Sequence, residues 1–284
     1  MESRAILVGV ILLMATGQGF GLVRYEDGGT YNIISTINDD VWVDFDVPGM
    51  GTTVNLNSGG EIYHLKAYNN SLVNVFDGLI QHSLDALDSS RVNVSGGTIM
   101  TGVFATSNSQ LNISGGLIKS GLNAQCSSKI TISGRQIDDS LVAYADSQIF
   151  ITGGYIGSHL SVHHRGEVTI SGGTIQGFVQ NNGSKQITIS GGSIGGEIWA
   201  GDGNNDDGII MFAGSDFAIN GLSVGYGQYF HSDFASGILT GTLFNGGTLN
   251  NDFYINDNAS IVLTPEPATL LLLGFGALII RKRK

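Results

Sequence analysis

The sequence predicts an all-β fold, a parallel β-solenoid, and three observations predict it. The phrase "VNVSGGTI" at residues 92–99 returns as "LNISGGLI" at 111, "ITISGRQI" at 130, "IFITGGYI" at 149, "VTISGGTI" at 168 and "ITISGGSI" at 187, one copy every 19 residues. Four residues after the phrase's Ser or Thr, a place Phe76 takes in one coil, every coil carries Ile: Ile62, Ile80, Ile99, Ile118, Ile137, Ile156, Ile175 and Ile194. Around that column apolar residues recur two apart, as in Leu122/Ala124 and Ile130/Ile132, the period of a strand with one buried face. A catalytic motif needs to occur once, whereas a phrase at fixed period encodes one unit stacked on its neighbours.

In chain order, residues 1–21 come first: a basic start at Arg4, an apolar run from Ala5 to Ala15 and small residues after it. That layout predicts a secretory signal peptide, its apolar run too short to span a bilayer. Residues 22–57, with "INDDVWVDFDV", leave the 19-residue frame. They are expected to form an N-terminal cap, because a bare first coil presents an unpaired edge.

Residues 58–200 then supply about eight coils. Counting from the phrase's Ser or Thr (Ser95, Ser114, Ser133, Thr152, Ser171, Ser190) as zero, short strands fall around positions 16–18, 3–5 and 8–10. Position 8 takes a large apolar group, from Leu65 to Ile198, and position 10 a small one, Ala except at Val162 and Asn181. The glycine pair marks a corner that needs positive φ or close backbone approach. Coils about 4.8 Å apart pair each strand in parallel with its copies. Ser or Thr at position zero then faces outward as a ladder, not as an active centre.

The register breaks at "GDGNNDDG", and residues 201–264, rich in Phe and Tyr, predict an acidic, β-rich C-terminal cap. From Gly201 to Thr264 there is no Lys or Arg, and the whole chain carries a formal net charge of −11. Such a surface repels phosphate backbones, which argues against nucleic acid as a partner. With 43 Gly, 3 Pro and no G-X-Y period, collagen is excluded too. Cys126 is the single cysteine, so stability comes from packing rather than from an intrachain disulfide.

Candidates for chemistry are few. Asp202, Asn204 and Asp206 alternate as in a calcium loop, yet Asp207 stands where that loop wants Gly and no Glu closes it. The expectation is a solvated insertion, with no metal and no cofactor. His159, His163 and His164 share one coil, with Asp138 and Asp139 one coil below; a surface ladder is expected rather than an acid and base pair. Position 17 runs Asn74, Asn93, Asn112, Thr131, Thr169 and Thr188, a flat polar column suited to a glycan or to ice. A glycosidase would need two carboxylates about 5–10 Å apart in a groove, and the outward columns offer mostly Ser, Thr, Asn, Gln and Gly. No catalytic residue is assigned. The alternative class is a polysaccharide-binding or polysaccharide-degrading β-helix, with an exopolysaccharide as partner and a lyase or hydrolase as the enzyme.

The chain ends "TPEPATLLLLGFGALIIRKRK". Pro265, Glu266 and Pro267, the apolar run 268–280, expected to be a membrane helix, and the cluster Arg281, Lys282, Arg283 and Lys284 closely resemble the PEP-CTERM sorting signal of Gram-negative bacteria. That resemblance implies retention in the inner membrane until an exosortase, a membrane protease, processes the chain near the motif for delivery to the cell surface or extracellular matrix. The basic cluster would stay cytoplasmic and leave the solenoid outside. Thirteen apolar residues give only about 20 Å of helix against a core of about 30 Å, a short anchor suited to temporary use. The body, with its "SGGTI" coils and "GSDFAINGLSVGYG", is similar to repeat-bearing PEP-CTERM proteins of planctomycete-type bacteria, which implies no activity. The expected function is therefore that of a non-enzymatic exported structural protein.

Overall fold

The computed structural model describes residues 21–202, 207–256 and 258–265. Among these the chain contains strands and turns but no helix, and it winds as a parallel β-solenoid. One middle coil shows the plan: Arg91–Val94, Thr98–Ile99 and Val103–Ala105, three short strands joined by corners. Each pairs in parallel with its copies in the coils on either side. Val94 lies opposite Val75 and Ile113, Ile99 opposite Ile80 and Ile118, and Ala105 opposite Ala86 and Ala124. Three ladders thus run along the stack, and equivalent side chains stand directly above one another.

The period of two decides what is inside. Val92 and Val94 are buried while Arg91 and Asn93 face out. Ile62, Ile80, Ile99, Ile118, Ile137, Ile156 and Ile175 are at most 2 % exposed, whereas Ile194, beside the break in the repeat, is half-buried. Burying each such side chain contributes roughly 2–3 kcal/mol before chain entropy is counted.

The corner after Val103–Ala105 has its own recurring chemistry. Ser109 N–H donates to Thr106 C=O at 3.2 Å, and Ser107 between them takes φ +57°. The same left-handed position recurs at Asn69, Asp88, Cys126, Ala145 and His164. The serine ending the turn is fully buried at Ser71, Ser90, Ser109, Ser128 and Ser147, in the coils whose position 10 is Ala. Where position 10 becomes the larger Val162, the serine becomes Gly166, and a Cβ there would stand 3.1 Å from both Val162 Cγ1 and Ala143 Cβ. Volume is conserved across the corner. In the next coil Asn181 is fully buried. Its amide donates to the carbonyls of Lys185 at 2.7 Å and Ile209 at 2.8 Å and accepts from Gly183 N–H at 3.0 Å. It ties the last regular coils to the strand beyond the break.

The turn count differs from the eight expected. The ladder from Leu22–Tyr25 to Ile198–Ala200 has ten strands, so the solenoid makes about ten turns. The additional turns come from residues 22–57. Leu22–Tyr25 pairs in parallel with Asp40–Val43, Asp40–Val43 with Leu65–Ala67, and Thr30–Ile33 with Thr53–Leu56. Val41 and its partner Leu65 are 24 residues apart, against 19 for Leu65 and Leu84, because a loop leaves the stack between Asp44 and Thr52. Buried Asp44 closes it, its carboxylate accepting from Thr52 N–H at 2.8 Å and from the Thr52 hydroxyl at 2.5 Å.

Beyond Ala200 the plan changes. Ile209–Ile219 begins in parallel on Gln186–Ile189, then its far half pairs antiparallel with Ser236–Leu243. That strand pairs antiparallel with Thr248–Ile255, whose end returns to parallel pairing on Ile198–Ala200. Ser260–Thr264 lies parallel on Ile209–Ala213, and Gly227–Phe230 closes the ladder antiparallel to it. No helix of the described residues is long and apolar enough to cross a membrane. The helix expected over 268–280 and most of the expected signal peptide lie outside the described residues.

Candidate functional site

The repeated phrase is consumed by corner geometry. Hydroxyls at its head donate to the coil below: Ser95 to Val75 C=O at 3.4 Å, Thr152 to Ile132 C=O at 3.4 Å and Ser190 to Ile170 C=O at 3.4 Å. The two glycines answer different needs. A Cβ on Gly96 or Gly115 would stand 2.0 Å from the carbonyl oxygen of Phe76 or Ser95, so the first glycine permits close approach between coils. The second supplies positive φ, +76° at Gly97 and +80° at Gly116. Arg135 holds that place in "SGRQI" at φ +61°, an uncommon conformation for a residue with a side chain.

The three histidines are shared between two corners. His159 stacks on Phe178 with ring centroids 4.5 Å apart and lies 3.0 Å from Ser158 Oγ through Nδ1. His163 stacks on Tyr144 at 4.9 Å. Burial holds the His163 imidazole below its ordinary pKa, the neighbouring His164 lowers it further, and the charge of Asp202 works the other way. Asp138 has partners of its own, Gln136 Nε2 at 2.6 Å and Lys119 Nζ at 3.6 Å. Among the described residues no three His, Cys, Asp or Glu side chains converge on a point that would hold a metal. Asn204 and Asp206 of the calcium-like stretch lie outside the described residues.

The polar column is longer than the sequence suggested. Asn55 donates to Asn32, Asn74 to Asn55, Asn93 to Asn74 and Asn112 to Asn93, each side-chain amide bond 2.9 Å long. Each inner amide keeps one N–H and one lone pair for solvent or ligand. Thr131 continues the column, Phe150 interrupts it, and Thr169 and Thr188 complete it. Cys126 is an exposed free thiol. The Thr106 hydroxyl and the Ser107 backbone stabilise its thiolate and lower its pKa.

One cluster escaped the sequence. His64 and His82 lie on successive coils, with His64 Nε2 2.7 Å from His82 Nδ1 and His64 Nδ1 2.8 Å from the Asp40 carboxylate. Tyr63 packs against both imidazoles, ring centroids 4.7 and 5.6 Å away. The two histidines are 18 residues apart, one short of the period, because the coil that starts at Ser58 is one residue short. Counting from the Ile column reveals them: each stands two residues after its isoleucine, Ile62 or Ile80.

Of the sorting residues, Pro265 is described and half-buried, directly after Ser260–Thr264; Glu266, Pro267 and residues 281–284 lie outside the described residues. The final strand of the stack therefore delivers the chain straight into this segment. Residues 263–284 match the PEP-CTERM protein-sorting motif. No curated protein and no solved structure matches the chain. The motif implies processing by an exosortase, a membrane protease. The chain is thus a β-solenoid body that carries a PEP-CTERM sorting motif at residues 263–284, and that motif indicates an exported protein sorted to the cell envelope or surface.

Proposed function

We infer that the chain is a non-enzymatic structural protein of the cell surface or extracellular matrix. It is held in the inner membrane by residues 268–280, with Arg281 to Lys284 in the cytoplasm, until cleavage near Pro265, Glu266 and Pro267 frees the solenoid. The observation that carries this is the division of labour along the chain. The 19-residue phrase is taken up by turns, inter-coil hydrogen bonds and core, while the recognisable motif follows directly on the last strand. Asp138, a candidate for acid and base work, is engaged by Lys119 and Gln136, which also supports a passive role.

Intact-mass measurement on protein released by the native organism tests the reading. A chain ending close to residue 267 is expected, and P265A/E266A/P267A should accumulate unprocessed in the membrane fraction with its solenoid folded. A released chain still ending in Lys284 would contradict it, and turnover of an acidic polysaccharide that is lost in D138N or D139N would replace it with an enzyme.

The asparagine ladder favours a second reading, polysaccharide binding along the face from Asn32 to Asn112. Binding on a glycan array that disappears in N74A/N93A/N112A would establish it.

A further inference from the structure

We propose that His64 and His82 form a binding site for a late first-row divalent metal ion such as Cu2+ or Zn2+, with Asp40 as the positioning residue. The Asp40 carboxylate lies 2.8 Å from His64 Nδ1 and draws the ring proton to that nitrogen, leaving the lone pair on Nε2. That lone pair accepts from His82 Nδ1–H, 2.7 Å away; when both nitrogens ligate, His82 carries its proton on Nε2 instead, and the ion takes the place of the proton between the rings. A carboxylate on the far nitrogen of a metal-ligating histidine is the arrangement that orients such ligands and raises their basicity. Imidazole donors select copper, zinc and nickel over calcium or magnesium.

The geometry needs little change. Zn–N bonds of about 2.0–2.1 Å at a tetrahedral angle put two ligand nitrogens about 3.3 Å apart. Both imidazoles therefore open by a few tenths of an ångström from the 2.7 Å contact. The backbone beneath is fixed by ladder pairing of Leu65 with Val41 and with Leu84. The His64 and Asp40 side chains are 21% and 25% exposed, so the site is mostly enclosed but still reaches solvent, and water completes the coordination. The net charge of −11 on the chain draws cations to it. This cluster has no part in the sorting motif or in the repeated corner.

Calorimetric titration of Cu2+ and Zn2+ into the purified full chain tests the site, with electron paramagnetic resonance of the Cu2+ form. One ion per chain is expected, coupled to two imidazole nitrogens. H82Q keeps a hydrogen-bonding group beside His64 and so should fold, but it should lose the ion. D40N should weaken binding by about 10- to 100-fold, and H163A should leave it unchanged. No uptake by the native chain, undiminished uptake by H82Q, or loss of the ion in H163A would overturn the assignment.

Discussion

The regular coils from Ser58 to Ala200 and the segments on either side of them obey the same ladder geometry under different sequence constraints. From Phe76 to Ala200 every coil has the same length, so each column meets one environment and the residue becomes nearly fixed: Ile inside, Gly where a carbonyl presses close. At the N-terminal end the loop between Asp44 and Thr52 changes the coil length while the pairing of Val41 with Leu65 is kept. At the C-terminal end antiparallel strands close the stack. Strand pairing thus tolerates length variation at corners, and repetition in sequence follows from equal coil length rather than from the solenoid itself.

The largest expected effect comes from the regular region. Ile118→Asp puts an unpaired charge into a position 1 % exposed, and a loss of about 4–5 kcal/mol is expected in urea unfolding.

A pair of glycines sharpens the contrast. Gly115→Ala drives a Cβ to 2.0 Å from Ser95 C=O, whereas Gly227, in the closing strand, has nothing within 4 Å of its Cβ position. The first substitution should cost about 2–3 kcal/mol and the second less than about 0.5 kcal/mol. Equal midpoints for the two variants would contradict the assignment of the first glycine to close approach.

The volume exchange between Val162 and Gly166, at the corner equivalent to the one after Val103–Ala105, predicts coupling. Gly166→Ser should destabilise by about 1–2 kcal/mol through its contact with Val162, and adding Val162→Ala should recover a large part of that. A double-mutant cycle with no coupling would show that the exchange is incidental.

The smallest effect is a pH dependence. Burial keeps the folded-state pKa of His163 below its ordinary 6.5, so between those two values the unfolded chain binds more protons. Stability is complete above the unfolded value and falls as pH drops through that window. His163→Gln should flatten the dependence between about pH 7.5 and 5, measured as the shift in urea midpoint.

What was legible in the sequence follows the same division. The Ile column, the alternation and the parallel class are visible because equal coils repeat them. The glycine pair showed that a corner needed something special, but only the distance from Gly115 to Ser95 C=O and the φ of Gly116 separate the two reasons. The turns within 22–57 were hidden because the loop after Asp44 throws Val41 and Leu65 out of the 19-residue frame. His64 and His82 were hidden by a coil one residue short. Buried Asn181 looked like a defect in an alanine column until its bonds to Lys185 and Ile209 placed it at the junction with the closing strands. Pro265 to Lys284 were legible for a different reason, since a sorting signal is read as a linear segment.

Hydrogen exchange on the full chain tests most directly whether the irregular start and the regular coils are one structure. A single continuous stack predicts that the amides of Val41, Val43 and Val54 are protected to the same degree as those of Val92 and Val103, and that they lose protection together as urea is raised. Exchange of residues 40–56 orders of magnitude faster than that of residues 91–105, with an unfolding step of its own, would contradict it.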